Sequence, residues 1–190
     1  MDLDRFKTGA EPAPPWTLGQ ILPGFTGRII SFDQSIRKVG WSEVDVTTIP
    51  SVHVNRTGMF RTMKLFTGHE DTLSSGELIF SQVMDLLVQS SPSIVLHEMP
   101  MVGGGRYARP DASLVAGMAI RCAAKIIGVP VVMVSANSVK NRLTGNPNAD
   151  KAEVRAAVDE LQPEVAGLKP RNDDTYDSIA QALLGAEMEI

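Results

Sequence analysis

The chain has 190 residues, 18 of them basic and 22 acidic, for a formal charge of −4 and a single cysteine, Cys122. At this size one domain buries about 70% of the surface its unfolded form exposes, so it needs neither a structural metal nor disulfides, and one cysteine excludes an intrachain disulfide framework. Taken as a whole-chain number, the acidic balance argues against a nucleic-acid partner.

Residues 1–26 hold Gly9, Pro12, Pro14, Pro15, Gly19, Pro23 and Gly24, a density of turn formers that predicts an irregular N-terminal extension before a domain over 27–190. The start, Met1-Asp2-Leu3-Asp4, has neither a basic nor an apolar export region, and no stretch reaches the roughly 18 apolar residues of a membrane span. The expectation is a soluble, cytoplasmic protein without a membrane partner. Arg28–Phe32 is an apolar run closing on Asp33, and Val39–Val46 and Met59–Phe66 alternate, predicting three strands in a meander. Ser74 and Glu77 read as a capping box for a helix through Ile79, Phe80, Val83, Leu86 and Leu87. Ser93–Leu96 predicts a fourth strand running into His97-Glu98. A glycine-rich loop, Gly103 to Arg109, precedes a helix from Pro110 or Asp111 whose apolar face is Leu114, Val115, Met118, Cys122 and Ile126. Val129–Val134 predicts a fifth strand, followed by a loop. Asp150 and Glu153 cap the next helix, and a last helix spans about Asp173 to Leu184, closed by Gly185. The order predicts an α/β fold with a mixed five-stranded sheet flanked by helices.

The acids gain meaning from their positions. Asp33 and Glu98 end apolar strands, where sheet edges build sites, while Asp174 and Asp177, three apart in a helix, share one face. Four converging carboxylates repel unless a cation sits among them, and an all-oxygen set suits Mg2+ or Mn2+ rather than zinc. Two such ions about 4 Å apart are a known device for hydrolysing phosphodiesters. Asp173 and Asp174, in a first helical turn, also suit capping and the helix dipole; Asp177, a turn further in, does not.

These residues resemble a family. Ile29-Ile30-Ser31-Phe32-Asp33-Gln34-Ser35 followed by Val39-Gly40-Trp41-Ser42 resembles the opening of RuvC-type Holliday junction resolvases. Ile94-Val95-Leu96-His97-Glu98 is similar to their second motif, Ser135 to Lys151 to the stretch after their fifth strand, and Asp174-Thr175-Tyr176-Asp177-Ser178-Ile179-Ala180 to their closing helix. The resemblance spans about residues 27–186 with motif order preserved. It implies an RNase H-like fold, a homodimer, and metal-dependent cleavage of paired strands at a four-way DNA junction, with two ions per site. By motif, Asp33, Glu98, Asp174 and Asp177 are the implied metal ligands, Asp173 the reserve, and Lys140 a basic residue near the scissile phosphate. Where many members have Asp-Pro-Gly, this chain has Asp33-Gln34-Ser35, a form associated with phage and other viral members.

Residues 106–155 carry 8 basic and 3 acidic side chains, so the segment expected to face DNA is positive within an acidic chain. Gly103–Gly105 lets a backbone approach closely, Arg106 and Arg109 can contact phosphates, and Tyr107 can stack on a base. Lys140, Arg142 and Lys151 suit phosphate contact in a loop rich in asparagine. No Walker or dinucleotide loop is present, so no nucleotide cofactor is expected. His97 should face away from Glu98 into the core, His53 and His69 should lie on the surface, and the Met118-Cys122-Ile126 stripe should form core or dimer contact. The alternatives are another RNase H-like nuclease acting on RNA-DNA hybrids or flaps, a non-catalytic junction-binding module, and an actin-like ATPase, for which 190 residues are short.

Overall fold

The computed structural model describes residues 25–48, 51–64, 67–100, 110–169 and 172–186. The predicted extension over 1–26 lies almost wholly outside these residues, as do Gly103, Gly104, Gly105, Arg106, Tyr107 and Arg109.

Three strands come first: β1 (Gly27–Gln34), β2 (Lys38–Thr48) and β3 (Ser51–Arg61). They form the expected antiparallel meander, with Asp33 opposite Gly40 and Lys38 opposite Arg61. β3 begins eight residues earlier than the sequence pattern indicated. Its first half alternates Val52 and Val54 with His53 and Asn55, and a register shift at Glu43/Val44 leaves Asn55 as the extra residue of a bulge, which blurs the two-residue period. β4 (Ile94–Glu98) and β5 (Val131–Val134) add parallel pairings, giving a five-stranded sheet in the order β3-β2-β1-β4-β5.

Among the described residues five helices cover the sheet: α1 (Gly68–Ser90), α2 (Pro110–Ile127), α3 (Ala136–Thr144), α4 (Lys151–Leu161) and α5 (Asp173–Gly185). A short 3-10 turn, Pro163–Gly167, links the last two. β1 and β4 are buried on both faces. Ile29, Ile94 and Leu96 pack with Val154, Val158, Ile179 and Leu183 on one side, while Ile30, Phe32 and Val95 pack with Ile79, Val83, Ala116 and Ile120 on the other. Among the described residues no helix is long and apolar enough to cross a membrane.

Three helical expectations need correction. α1 starts at Gly68, so Ser74 is not its cap; its first turns are instead tied down by Arg37, which ion-pairs buried Asp71 and donates to Ser75 Oγ at 2.9 Å. The segment with Lys140 and Arg142 is helix α3, closed by Gly145 at φ 72, rather than a loop. α2 turns a different face inward: Ala116, Ala119, Ile120, Ala123 and Ala124 are buried, while Leu114, Met118 and Ile126 are 45–67% exposed and Cys122 is exposed. The alanine face wins because small side chains let helices approach; any Cβ on Gly76 of α1 would crowd Val115 of α2. The capping box at Asp150 and Glu153 is present as expected.

α5 is the helix with most to bury. Leu183 is wholly enclosed, so Leu183→Ala should lower stability by about 2–5 kcal/mol in urea unfolding, the usual range for emptying a buried leucine site.

Candidate active site

β1 and β4 run parallel in register as far as Phe32 and His97, so their C-terminal ends deliver Asp33 and Glu98 side by side. The two carboxyl groups share a hydrogen bond. Burial, then the Glu98 charge and that hydrogen bond, with Asp177 and Asp174 behind, push Asp33 up to about 9. Burial and the Asp177 charge also raise Glu98, against the pull of the Asp33 hydrogen bond and of Lys151 and Lys140. At neutral pH the pair therefore holds a proton between two groups that cannot both carry charge at such range.

α5 supplies the second pair of acids. Asn172 caps it, accepting from Thr175 N at 3.1 Å, so capping does not occupy Asp173 or Asp174. The helix start is set down on the sheet at Gly40, directly opposite Asp33: a Cβ there would run into the backbone carbonyl of Asp174. Only glycine permits this approach, which brings Asp174 and Asp177 within electrostatic reach of Asp33. Asp173, the reserve candidate, turns outward, 52% exposed, toward Arg155 and Lys151.

Lys151 at the start of α4 donates to Asp177 Oδ2 at 3.0 Å. Burial works against its charge, but the Asp177 hydrogen bond and the charges of Asp177 and Asp173 outweigh it and raise its pKa. Glu98, Lys140, Lys151, Asp177 and Gln181 line a pocket of about 180 Å3. Of the cations expected there, Lys140 and Lys151 reach this pocket. Arg142, two residues along α3 and so on another side of the helix, is exposed and does not line it. Among the asparagines, Asn146 is spent on its own turn, accepting from Asn148 N at 3.0 Å.

Two supporting residues escaped the sequence reading. Gln34 is buried and uses its side-chain amide as an extra rung of the ladder: Oε1 accepts from Glu98 N at 3.0 Å and Nε2 donates to Glu98 O at 2.5 Å. Gln181 of α5 accepts from buried Ser31 Oγ at 3.1 Å, tying helix to strand beneath the acids. Strand alternation was the available signal for Gln34, since the residue after Asp33 must face the other side. His97 faces that same side, as expected. It lies beside Gly117, its Nδ1 sits 2.9 Å from Glu98 O, and burial pushes it down to about 4, so the ring is neutral. His53 is exposed and 3.6 Å from Glu164, and His69 is exposed, both as expected.

As folded, among the described residues no three Asp, Glu, His or Cys side chains are gathered at metal-holding distance. The donor set nevertheless fits a hard cation. It is all oxygen, it is crowded enough to retain a proton at neutral pH, and Lys151 already supplies one compensating charge.

No protein-family model matches the chain. It is 26% identical over 157 residues to the crossover junction endodeoxyribonuclease RuvC of Neorickettsia sennetsu, covering 80% of this chain and 89% of that one. It is 26% identical over 159 residues to the RuvC of Hydrogenovibrio crunogenus, covering 82% and 85%. Thermus thermophilus RuvC in complex with a Holliday junction superposes with a TM-score of 0.68 at 24% identity, over 83% of this chain and 92% of that one. The yeast mitochondrial Holliday junction resolvase superposes at 0.59 with 11% identity, over 89% and 80%. The mixed five-stranded sheet flanked by helices is thus the RNase H-like fold of these structures.

The retained proton sets the pH response. Unfolded, Asp33 ionises near 3.9, whereas folded it keeps its proton to about 9, so folding takes up a proton between those limits. That stability is complete below about pH 4 and is lost as pH rises toward 9. Asp33→Asn removes the dependence, so the variant's melting temperature without divalent ions should exceed wild type by several degrees at pH 8 and by less at pH 6. Gln34→Ala leaves the Glu98 backbone groups unpaired and should cost about 2–4 kcal/mol in urea unfolding.

Proposed function

We propose that this RuvC-like chain is a structure-selective endonuclease that resolves Holliday and related branched DNA junctions by metal-dependent phosphodiester hydrolysis. The observation that carries this reading is the Asp33–Glu98 pair at the end of the sheet, raised by burial and by neighbouring acidic charge, in a chain 26% identical over 157 residues to a crossover junction endodeoxyribonuclease. Asp33, Glu98, Asp174 and Asp177 are the residues that would hold two Mg2+ or Mn2+ ions. Bound there, the ions would supply a Lewis acid for the phosphoryl oxygens and a water acidic enough to attack near neutral pH.

The chain's own part is positioning and charge. Asp33 must release its proton for the site to load, so loading should strengthen as pH rises from 6 to 8. Lys151 holds the Asp177 carboxylate in place, and Lys140, within electrostatic reach of Glu98, offsets a bound phosphate. Arg142, which does not line the pocket, remains a proposed DNA contact, as do Arg106, Tyr107 and Arg109, which lie outside the described residues. A homodimer would present two such sites to the two cut strands. The exposed Leu114, Met118 and Ile126 on α2, next to Met133 on edge strand β5, offer an apolar face for a second copy. The relatives named above are bacterial or yeast proteins, so the viral origin suggested by Gln34-Ser35 has no support in them.

With Mg2+ or Mn2+, the wild type should nick a synthetic four-way junction symmetrically. Asp33→Asn and Glu98→Gln should bind the junction but cut it at least about 1,000-fold more slowly, as when a member of a catalytic unit is removed. Equal cutting by these variants would remove the four acids from the mechanism. Preferential cutting of RNA-DNA hybrids or flaps in the same assay would reassign the substrate.

A further inference from the structure

Lys140 and Lys151 lie on the β4–β5 side of the acids. The register of the meander places another basic pair on the opposite side. Asp33 faces Gly40, Gly40 faces Met59, and two residues nearer the strand ends Lys38 faces Arg61. Because side chains alternate along a strand, Lys38 and Arg61 project from the same sheet face as Asp33, Gly40 and Met59. The intervening residues Val39 and Phe60 pack into the core on the other face, which fixes that direction.

Both cations are exposed. The ion pairs among the described residues use Arg28, Arg37, Arg56, His53, Lys151 and Arg155; Lys38 and Arg61 take part in none of them. Two like charges directly opposite across an antiparallel pair oppose strand pairing. Such a pair therefore contributes nothing to the fold and gains only when an anion lies over it. Strands sit about 4.8 Å apart and residues rise about 3.4 Å, so Lys38 lies roughly 8 Å and Arg61 roughly 12 Å from Asp33, the axial span of about two to four nucleotides.

We infer that Lys38 and Arg61 form a second phosphate-binding wall, gripping the DNA backbone on the β2–β3 side of the acids while Lys140 and Lys151 grip it on the other. The inference rests on the nuclease reading above and assigns it a strand path: across the end of the sheet, from β5 toward β3. The ligand is the sugar-phosphate backbone, so the grip is indifferent to base sequence.

The test is Lys38→Gln with Arg61→Gln in the full chain, on a synthetic four-way junction. Removing one cation from a DNA phosphate lowers the slope of log affinity against log salt by about 0.9. The double variant should therefore show a slope shallower by about 1.8 and bind roughly 10- to 60-fold more weakly near 0.1 M salt. Its melting temperature should equal or exceed wild type, because the opposed charges are gone. With protein in saturating excess and Mg2+ present, its single-turnover cutting rate should stay within about threefold of wild type. Unchanged affinity and slope overturn the inference. A fall in melting temperature together with slower cutting at saturation also overturns it, assigning the pair to the fold. A wild type that binds no DNA at low salt removes the nuclease reading itself, whereas a wild type that binds like the variant removes only this wall.

Discussion

Two carboxyl groups at the ends of neighbouring parallel strands are the constraint around which this molecule is arranged. Parallel pairing of β1 with β4 makes the encounter of Asp33 and Glu98 unavoidable, since the register that buries Ile29, Ile30, Val95 and Leu96 also sets the strand ends level. Slipping β4 by one residue against β1 would separate the acids but turn Val95 and Leu96 to the wrong faces. The hydrophobic layers thus impose the electrostatic strain, and the strain in turn makes the end of the sheet receptive to positive charge.

The surrounding parts can be understood by how they manage that strain. Gly40 lets α5 approach until Asp174 and Asp177 join the cluster, increasing the repulsion. Lys151 relieves part of it from α4, and the capping box at Asp150 and Glu153 holds that helix start in place. Gln34 acts on the backbone rather than on charge. Its amide extends the β1–β4 pairing past the last true rung and fixes the Glu98 main chain, so that the carboxyl above has little freedom to turn away. His97 closes the same region from the other face as a neutral, buried ring.

Much of this was legible in the amino-acid order. Asp33 and Glu98 stand out because each interrupts an apolar strand at its end, and Asp174 and Asp177 because their spacing is helical; their mutual proximity is what the structure shows. The meander of the first three strands, the mixed five-stranded sheet and the Asp150 cap were equally readable. The extent of β3 was not, because the bulge at Asn55 interrupts the alternation, and the buried face of α2 was not, because hydrophobicity favours Leu114 and Met118 whereas close packing favours alanine. The start of α1 depends on Arg37, 34 residues from Asp71 in sequence, and no local signal reports such a pairing. Gly40 and the facing of Lys38 with Arg61 become meaningful only once cross-strand register is known.

The place of α5 in chain order bears on how the protein comes into being. During synthesis the chain emerges from its N-terminal side, so β1 and β4 can pair, and Asp33 can meet Glu98, well before Asp177 exists. Some 79 residues separate Glu98 from Asp177, about 4–16 s of elongation at ordinary rates. For that interval Asp33 and Glu98 have no α5 across them, and Leu96 is not covered by Gly185. The cluster is completed by the last helix to arrive, so an unfinished chain carries only half of the four acids.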